Sequence, residues 1–268
     1  MTTPQQPPPA PTVKTASGHV YRFRGEGTGA FQRFAWNFGR LLSRIISTLY
    51  FRLRATGQHQ IPKTGGILMV TNHQSYLDPW LIGIAPSRQL HYMARDTLFK
   101  GGLLTWLMEL WNTFPVKRGA ADLTAIRTAT ERLDKGFVVN VFPEGTRSED
   151  GSIAPVAPGV SLILSRTKAD ISILPVIIDG AFDAWPRHAK APRFHPIRIH
   201  YGTPIPRSEW LPLSPDELAW RIRRELVQLQ QRIGSRHAAI SRERLARDLA
   251  QAAAAPPRSN RRRRASPG

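Results

Sequence analysis

Two short apolar runs, residues 67–70 (Ile-Leu-Met-Val) and 137–142 (Phe-Val-Val-Asn-Val-Phe), each break directly into a polar cluster. The first is followed by Asn72-His73-Gln74-Ser75-Tyr76-Leu77-Asp78, the second by Pro143-Glu144-Gly145-Thr146-Arg147-Ser148. Runs of this length bounded by glycine (Gly65-Gly66 before one, Gly136 before the other) read as strands. Two more follow, 171–178 and 197–201; Pro175 inside the former predicts an edge or a distortion there. Helical stretches lie between: 79–85 opened by Asp78-Pro79, 103–110, 123–135 stopped by Gly136, and 159–166. Alternating strands and helices predict one α/β domain over residues 55–212.

The flanks differ. Residues 1–18 are Pro-rich and polar and read as disordered, with no signal-peptide pattern. Over 19–54, Phe31, Phe34, Phe38, Leu41, Ile45 and Leu49 recur at helical spacing, interrupted by Arg33, Arg40 and Arg44. A cationic amphipathic helix of this kind suits a membrane interface, with arginine stems reaching up to phosphates; packing on a core is the alternative. Ser214-Pro215-Asp216-Glu217 forms a capping box with proline at the first helical position, opening a helical extension over 213–255. Residues 256–268, with Arg258 and Arg261 to Arg264, read as a disordered basic tail, either an electrostatic tether or simply a solvated end.

With 38 Lys and Arg against 19 Asp and Glu, the net charge is +19, which calls for an anionic partner such as lipid headgroups, a phosphorylated substrate or nucleic acid. Arginine dominates the basic set, favouring bidentate phosphate recognition. Cysteine is absent, which removes a thiol nucleophile, disulfides and Cys-based zinc sites. No apolar run reaches the length of a membrane span.

Each polar cluster on its own leaves two readings open. His73 and Asp78 are a base and its orienting carboxylate, or a loop histidine and a helix cap. Five positions along one helix is a rotation of about 140°, so the pair meets only if His73 sits on the turn before the helix and Asp78 near its start. In the second cluster Gly145 permits close backbone approach, while Thr146, Arg147 and Ser148 offer donors for a phosphate. The alternative is a polar turn in which Glu144 pairs with Arg147.

Together the clusters resemble the glycerolipid acyltransferase family, the 1-acylglycerol-3-phosphate acyltransferases and their relatives, which carry N-H-x-x-x-x-D and then F-P-E-G-T-R-S. The resemblance covers residues 56–203. Arg95-Asp96-Thr97-Leu98-Phe99 and Pro115-Val116-Lys117-Arg118 match further family elements, with Arg95 where lysine is common; Ile173-Leu174-Pro175-Val176 matches a late strand. One departure is that Pro155-Val156-Ala157-Pro158-Gly159 lacks the Lys-Gly pair often found there.

The resemblance implies a mixed sheet flanked by helices. It also implies that His73 is a general base oriented by Asp78, that Glu144, Gly145, Thr146 and Arg147 shape the acceptor site, and that Arg147, Arg95 and Arg118 hold the acceptor phosphate. The acceptor implied is 1-acylglycerol 3-phosphate, with glycerol 3-phosphate or another lyso-lipid as alternative. The donor is acyl-CoA or acyl carrier protein, with no cofactor and no metal. The absence of cysteine and of a Gly-x-Ser-x-Gly elbow agrees with direct attack by the acceptor rather than an acyl-enzyme. The expected setting is an anionic membrane surface, peripheral or monotopic, on the cytoplasmic face of a bacterial inner membrane. Nucleic acid is not expected as primary partner, because no known reader module accompanies the charge. A lipid-binding protein without activity is disfavoured by the intact motifs. Residues 99–114, with Trp106 and Trp111, read as core packing in preference to an acyl-chain tunnel.

Overall fold

Every residue of 66–71 is buried, so this strand must be paired on both edges and covered on both faces. The computed structural model, which describes residues 12–15, 18, 20–22, 29–117 and 122–254, shows by what. In chain order the elements are a hairpin of β1 (Thr12–Lys14) and β2 (Val20–Arg22), then α1 (Ala30–Phe51), β3 (Arg54–Thr56), β4 (Gly66–Thr71), α2 (Asp78–Ile82), β5 (Leu90–Arg95), α3 (Gly102–Leu110), β6 (Thr113–Val116), α4 (Leu123–Asp134), β7 (Val138–Val141), α5 (Gly159–Arg166), β8 (Ile171–Asp179), α6 (Ala181–Ala184), β9 (Arg198–Tyr201), α7 (Arg207–Trp210), α8 (Pro215–Arg232) and α9 (Ala238–Ala254).

Seven strands form one sheet in the order β3-β9-β8-β4-β7-β5-β6. β4 runs parallel to both neighbours, with Leu68 opposite Val139 on one side and Ile173 on the other. β9 is antiparallel to β8 and parallel to β3, so the sheet is mixed. Strand alternation splits the core. Leu68 and Val70 join Ala125 of α4, Val160 of α5 and Ile222 of α8 on one face. Ile67 and Met69 join Trp36 of α1 and Leu81 of α2 on the other. Each Leu, Ile, Val or Met among these, fully buried, contributes about 1.5–3 kcal/mol. Gly66 permits the tight seat of α4: a Cβ there would stand 2.3 Å from the Leu133 carbonyl. Because β8, β4, β7, β5 and β6 all run one way, their carboxyl ends share one rim, where ligands bind in open α/β sheets.

Several expectations are refined. Pro175 stands in an interior strand, not at an edge. Its ring faces the place where β9 ends: Gly202 N–H donates to the Pro175 carbonyl, and the ladder resumes only at the Ile173–Ile205 bridge. The absent N–H therefore falls in a gap in the pairing. β5 and β6 were not apparent from the sequence, since Leu90-His91-Tyr92 has no clear alternation and β6 contains Pro115; β6 tolerates that proline as an edge strand. The hairpin places Thr12–Lys14 in a strand, inside the stretch 1–18 read as disordered, and the Thr15 hydroxyl donates to the Phe99 carbonyl at 3.1 Å. The basic tail 256–268 lies outside the described residues.

α1 is inverted relative to a core-packing helix. Its small or aromatic face, Trp36, Gly39, Ser43 and Ser47, lies on the domain; Gly39 meets the Trp111 ring, and Ser43 Oγ accepts from Trp80 Nε1 at 2.8 Å. Phe31, Phe34, Phe38, Leu41, Ile45 and Leu49 are all exposed. No described helix is long and apolar enough to cross a membrane.

Candidate active site

The turn after β4 is built by side chains acting as backbone. Asn72, fully buried, extends the β4–β8 pairing: its Oδ1 accepts Ile178 N–H at 2.7 Å and its Nδ2 donates to the Ile178 carbonyl at 2.9 Å. The chain then turns through residues 73–77 into α2, with Pro79 in the first helical turn. His73 thus sits off the helix and Asp78 at its first residue, the arrangement that lets them meet. His73 Nδ1 lies 2.8 Å from Asp78 Oδ2, and Asp78 is fully buried. The same Oδ2 accepts the N–H groups of Gln74 at 2.6 Å and Ser75 at 2.7 Å, so the carboxylate is fixed before it fixes the imidazole. With Nδ1 engaged, Nε2 is the nitrogen left to take a proton.

The second motif grips the first. Ser148 N–H donates to the His73 carbonyl at 2.7 Å. Glu144 Oε1 accepts His73 N–H at 2.8 Å and Oε2 accepts Ala154 N–H at 2.9 Å. The Phe142 ring stacks on the imidazole, centroids 4.1 Å apart. This revises the expectation that Glu144 helps bind the acceptor: it is buried, both oxygens are occupied by peptide groups, and it positions His73. Burial pushes its carboxyl up to about 7, and the nearby Asp78 adds to the rise; the two N–H donors and the Arg223 charge oppose it.

Gly145 adopts φ +69°, and it and Thr146 are exposed at the tip of the turn. The Arg147 guanidinium lies 3.5 Å above the Tyr76 ring, leaving its buried Nη1 without a hydrogen-bond partner. That cation is held in place by stacking rather than by a carboxylate. Glu144 and Arg147 do not pair: Glu144 accepts from the peptides of His73 and Ala154, and Arg147 stacks on Tyr76. Arg95 is exposed at the carboxyl end of β5, two strands from β4 on the same rim. Arg118 lies outside the described residues.

Beside Phe142 and Tyr76 opens an apolar cavity of about 350 Å³ between α1, α2, α3 and the strands β5 and β6. Gly83, Ala94, Leu104, Met108 and Trp111 are among its walls. The stretch 99–114 therefore divides: Phe99 and Phe114 belong to the core, whereas Leu104, Met108 and Trp111 line the cavity. Tyr76 was present in the first motif but was not singled out from sequence; the only signal for it was its place two residues before Asp78.

Residues 52–179 match the acyltransferase family model. They form an acyltransferase-family domain. The chain is 28% identical over 194 residues to a human 1-acyl-sn-glycerol-3-phosphate acyltransferase alpha, covering 70% of this chain and 67% of that one. It is 23% identical over 183 residues to a chloroplastic 1-acyl-sn-glycerol-3-phosphate acyltransferase of Brassica napus (65% of this chain, 52% of the relative). A Bacillus subtilis 1-acyl-sn-glycerol-3-phosphate acyltransferase is 26% identical over 129 residues, 48% of this chain and 64% of its own length. The chain thus spans about half to two thirds of these relatives. The crystal structure of a 1-acyl-sn-glycerophosphate acyltransferase from Thermotoga maritima shares the fold, with TM-score 0.65 over 76% of this chain and 82% of that one at 23% identity. In this acyltransferase domain the two motifs occupy the carboxyl ends of β4 and β7, adjacent strands, which is why residues 71 positions apart touch.

Proposed function

We propose that this protein transfers a fatty acyl chain from an acyl thioester to the free hydroxyl of 1-acylglycerol 3-phosphate, forming phosphatidic acid in phospholipid biosynthesis. The carrying observation is the His73–Asp78 pair at 2.8 Å. His73 Nε2 removes the acceptor hydroxyl proton as the oxygen attacks the thioester carbonyl; the carbon–sulfur bond breaks, and the thiolate leaves and takes up the proton. A thioester is already activated, so one positioned base and an oriented acceptor suffice. Asp78 holds the imidazole tautomer and stabilises the imidazolium as it forms.

Arg147, fixed over Tyr76 with an unpaired N–H, supports recognition of the acceptor phosphate; Arg95, exposed at the carboxyl end of β5, and Arg118 are its proposed helpers. The cavity walled by Leu104, Met108 and Trp111 suits an acyl chain. Acyl-CoA or acyl carrier protein is the donor, and the active protein needs no cofactor.

The working location is an anionic membrane surface, at the cytoplasmic face of a bacterial inner membrane. The exposed apolar face of α1 supports this, as do Leu103, Leu104 and Trp106, exposed on α3, which packs beside α1.

The test is an acyl-transfer assay on purified protein with labelled acyl-CoA or acyl carrier protein and a panel of 1-acylglycerol 3-phosphate, glycerol 3-phosphate and lyso-aminolipids. Preferred acylation of 1-acylglycerol 3-phosphate is expected. Preference for another acceptor would replace the substrate, and no transfer to any acceptor would overturn the reading.

A further inference from the structure

The loop that carries Glu144 and Ser148 continues through residues 150–154, and that stretch is held by α8 and α9 rather than by the sheet. Both peptide groups of Ile153 are taken by side chains of these helices. Its N–H donates to Ser241 Oγ at 3.1 Å, and its carbonyl accepts from Arg223 Nη2 at 3.3 Å. Arg223 is fully buried, and its Nη1 pairs with Asp248 at 2.6 Å. Ser241 Oγ donates to Gln230 Oε1, and Gln230 Nε2 donates to the Gly151 carbonyl at 3.2 Å. That same carbonyl accepts from Gln74 Nε2 at 2.7 Å, and Gln74 is the neighbour of His73. One residue past Ile153, Ala154 N–H reaches Glu144, whose other oxygen holds His73.

Stability is a poor explanation for this arrangement. Apolar residues of similar volume usually serve a core as well as a buried ion pair does. Here four polar side chains from two helices outside the matched domain, Arg223, Gln230, Ser241 and Arg244, converge instead on one short loop.

We infer that Arg223, Gln230 and Ser241 are positioning residues: through Ile153 and Gly151 they set loop 150–154 so that Glu144 and Gln74 hold His73 where its chemistry requires. The effect on rate rests on the acyltransferase reading; the effect on geometry does not.

The experiment compares wild type with Ser241→Ala, Gln230→Met and, as a packing control on α8, Val227→Ala. Amide hydrogen exchange at His73 and Ala154 is read against Leu68 in β4, and acyl transfer is measured on the same samples. In Ser241→Ala and Gln230→Met, exchange at His73 and Ala154 is expected to rise about tenfold relative to Leu68. Their kcat falls about ten- to a hundredfold with KM for both substrates unchanged. Val227→Ala lowers the melting temperature but leaves kcat and the exchange ratio alone. The inference is overturned if His73 exchange in both polar variants matches wild type, if their kcat is unaltered in an active enzyme, or if Val227→Ala loses as much kcat as they do. If wild type transfers no acyl group yet the exchange ratio responds as stated, the positioning stands and the acyltransferase reading falls.

Discussion

Glu144 Oε1 accepts the backbone N–H of His73 at 2.8 Å, so the acid of the second motif holds the base of the first by its peptide rather than by its ring. The imidazole is thereby fixed twice, through its backbone by Glu144 and through Nδ1 by Asp78.

His73→Ala removes the proposed base while leaving these backbone bonds in place. Activity is expected to fall about 10²–10⁴-fold, with an unchanged circular dichroism spectrum and unchanged vesicle binding. Asp78→Asn keeps the shape but presents the wrong partner to Nδ1, and should also lower kcat by at least about tenfold. Substantial activity in His73→Ala would remove the mechanism.

Glu144 supplies a pH signature. Burial raises its carboxyl from 4.5 to about 7, so between those values the folded protein binds the proton more tightly than the unfolded chain. The carboxyl's contribution to stability is then fully present below about 4.5 and lost as pH rises through about 7, a change on the order of 3 kcal/mol. Denaturant unfolding of wild type and Glu144→Gln across this range isolates it: the advantage of wild type over the variant shrinks with rising pH and levels off above about 7. A pH-independent difference between the two proteins would contradict the assignment.

Arg147→Ala is expected to raise KM for the phospho-acceptor about tenfold or more, with a smaller effect on KM for the donor. Arg147→Lys should recover little, because an ammonium neither stacks as a plane on Tyr76 nor offers two parallel donors. Steady-state kinetics with each substrate varied separately distinguishes these outcomes.

Filling the cavity should shorten the preferred acyl chain. Ala94 lines its wall, and Ala94→Phe is expected to shift the preference toward shorter chains by about tenfold in relative kcat/KM. An unchanged chain-length profile across a series of acyl-CoA donors would place the chain elsewhere.

The exposed face of α1 gives a test of membrane docking. Phe34→Ser, Leu41→Ser and Ile45→Ser alter side chains exposed in the folded protein, so stability should move by only about 0.5 kcal/mol each. Sedimentation with vesicles containing anionic lipid should fall about tenfold or more per substitution. Undiminished binding in the triple variant would move the membrane contact off this helix.

Much of the fold was legible because its signals are local. The capping box at Ser214 and Glu217 closes within one helical turn and appears as read. The bounds of α5 also match the reading, and the short apolar run around Leu68, bounded by glycine, was read as a strand and is one. β5 and β6 were not legible. β5 lacks clear alternation, and an edge strand such as β6 is held by one neighbour and tolerates Pro115, so its pattern is weak.

By itself the sequence determined the chemistry available to this protein: a histidine with an aspartate five residues on, an acid-arginine cluster after a second strand, no thiol, and a helix with a continuous apolar stripe. Tertiary structure decided what those groups do. Parallel β4 and β7 bring the motifs onto one rim; Glu144 turns inward to the His73 peptide, and Arg147 lies on Tyr76 with an N–H unpaired. The stripe of α1 turns outward, while Gly39 and Ser43 on its other face meet Trp111 and Trp80. None of these is a property of residue type or spacing. Each depends on which elements pack together, and such contacts between residues far apart in the chain exist only once the sheet has formed.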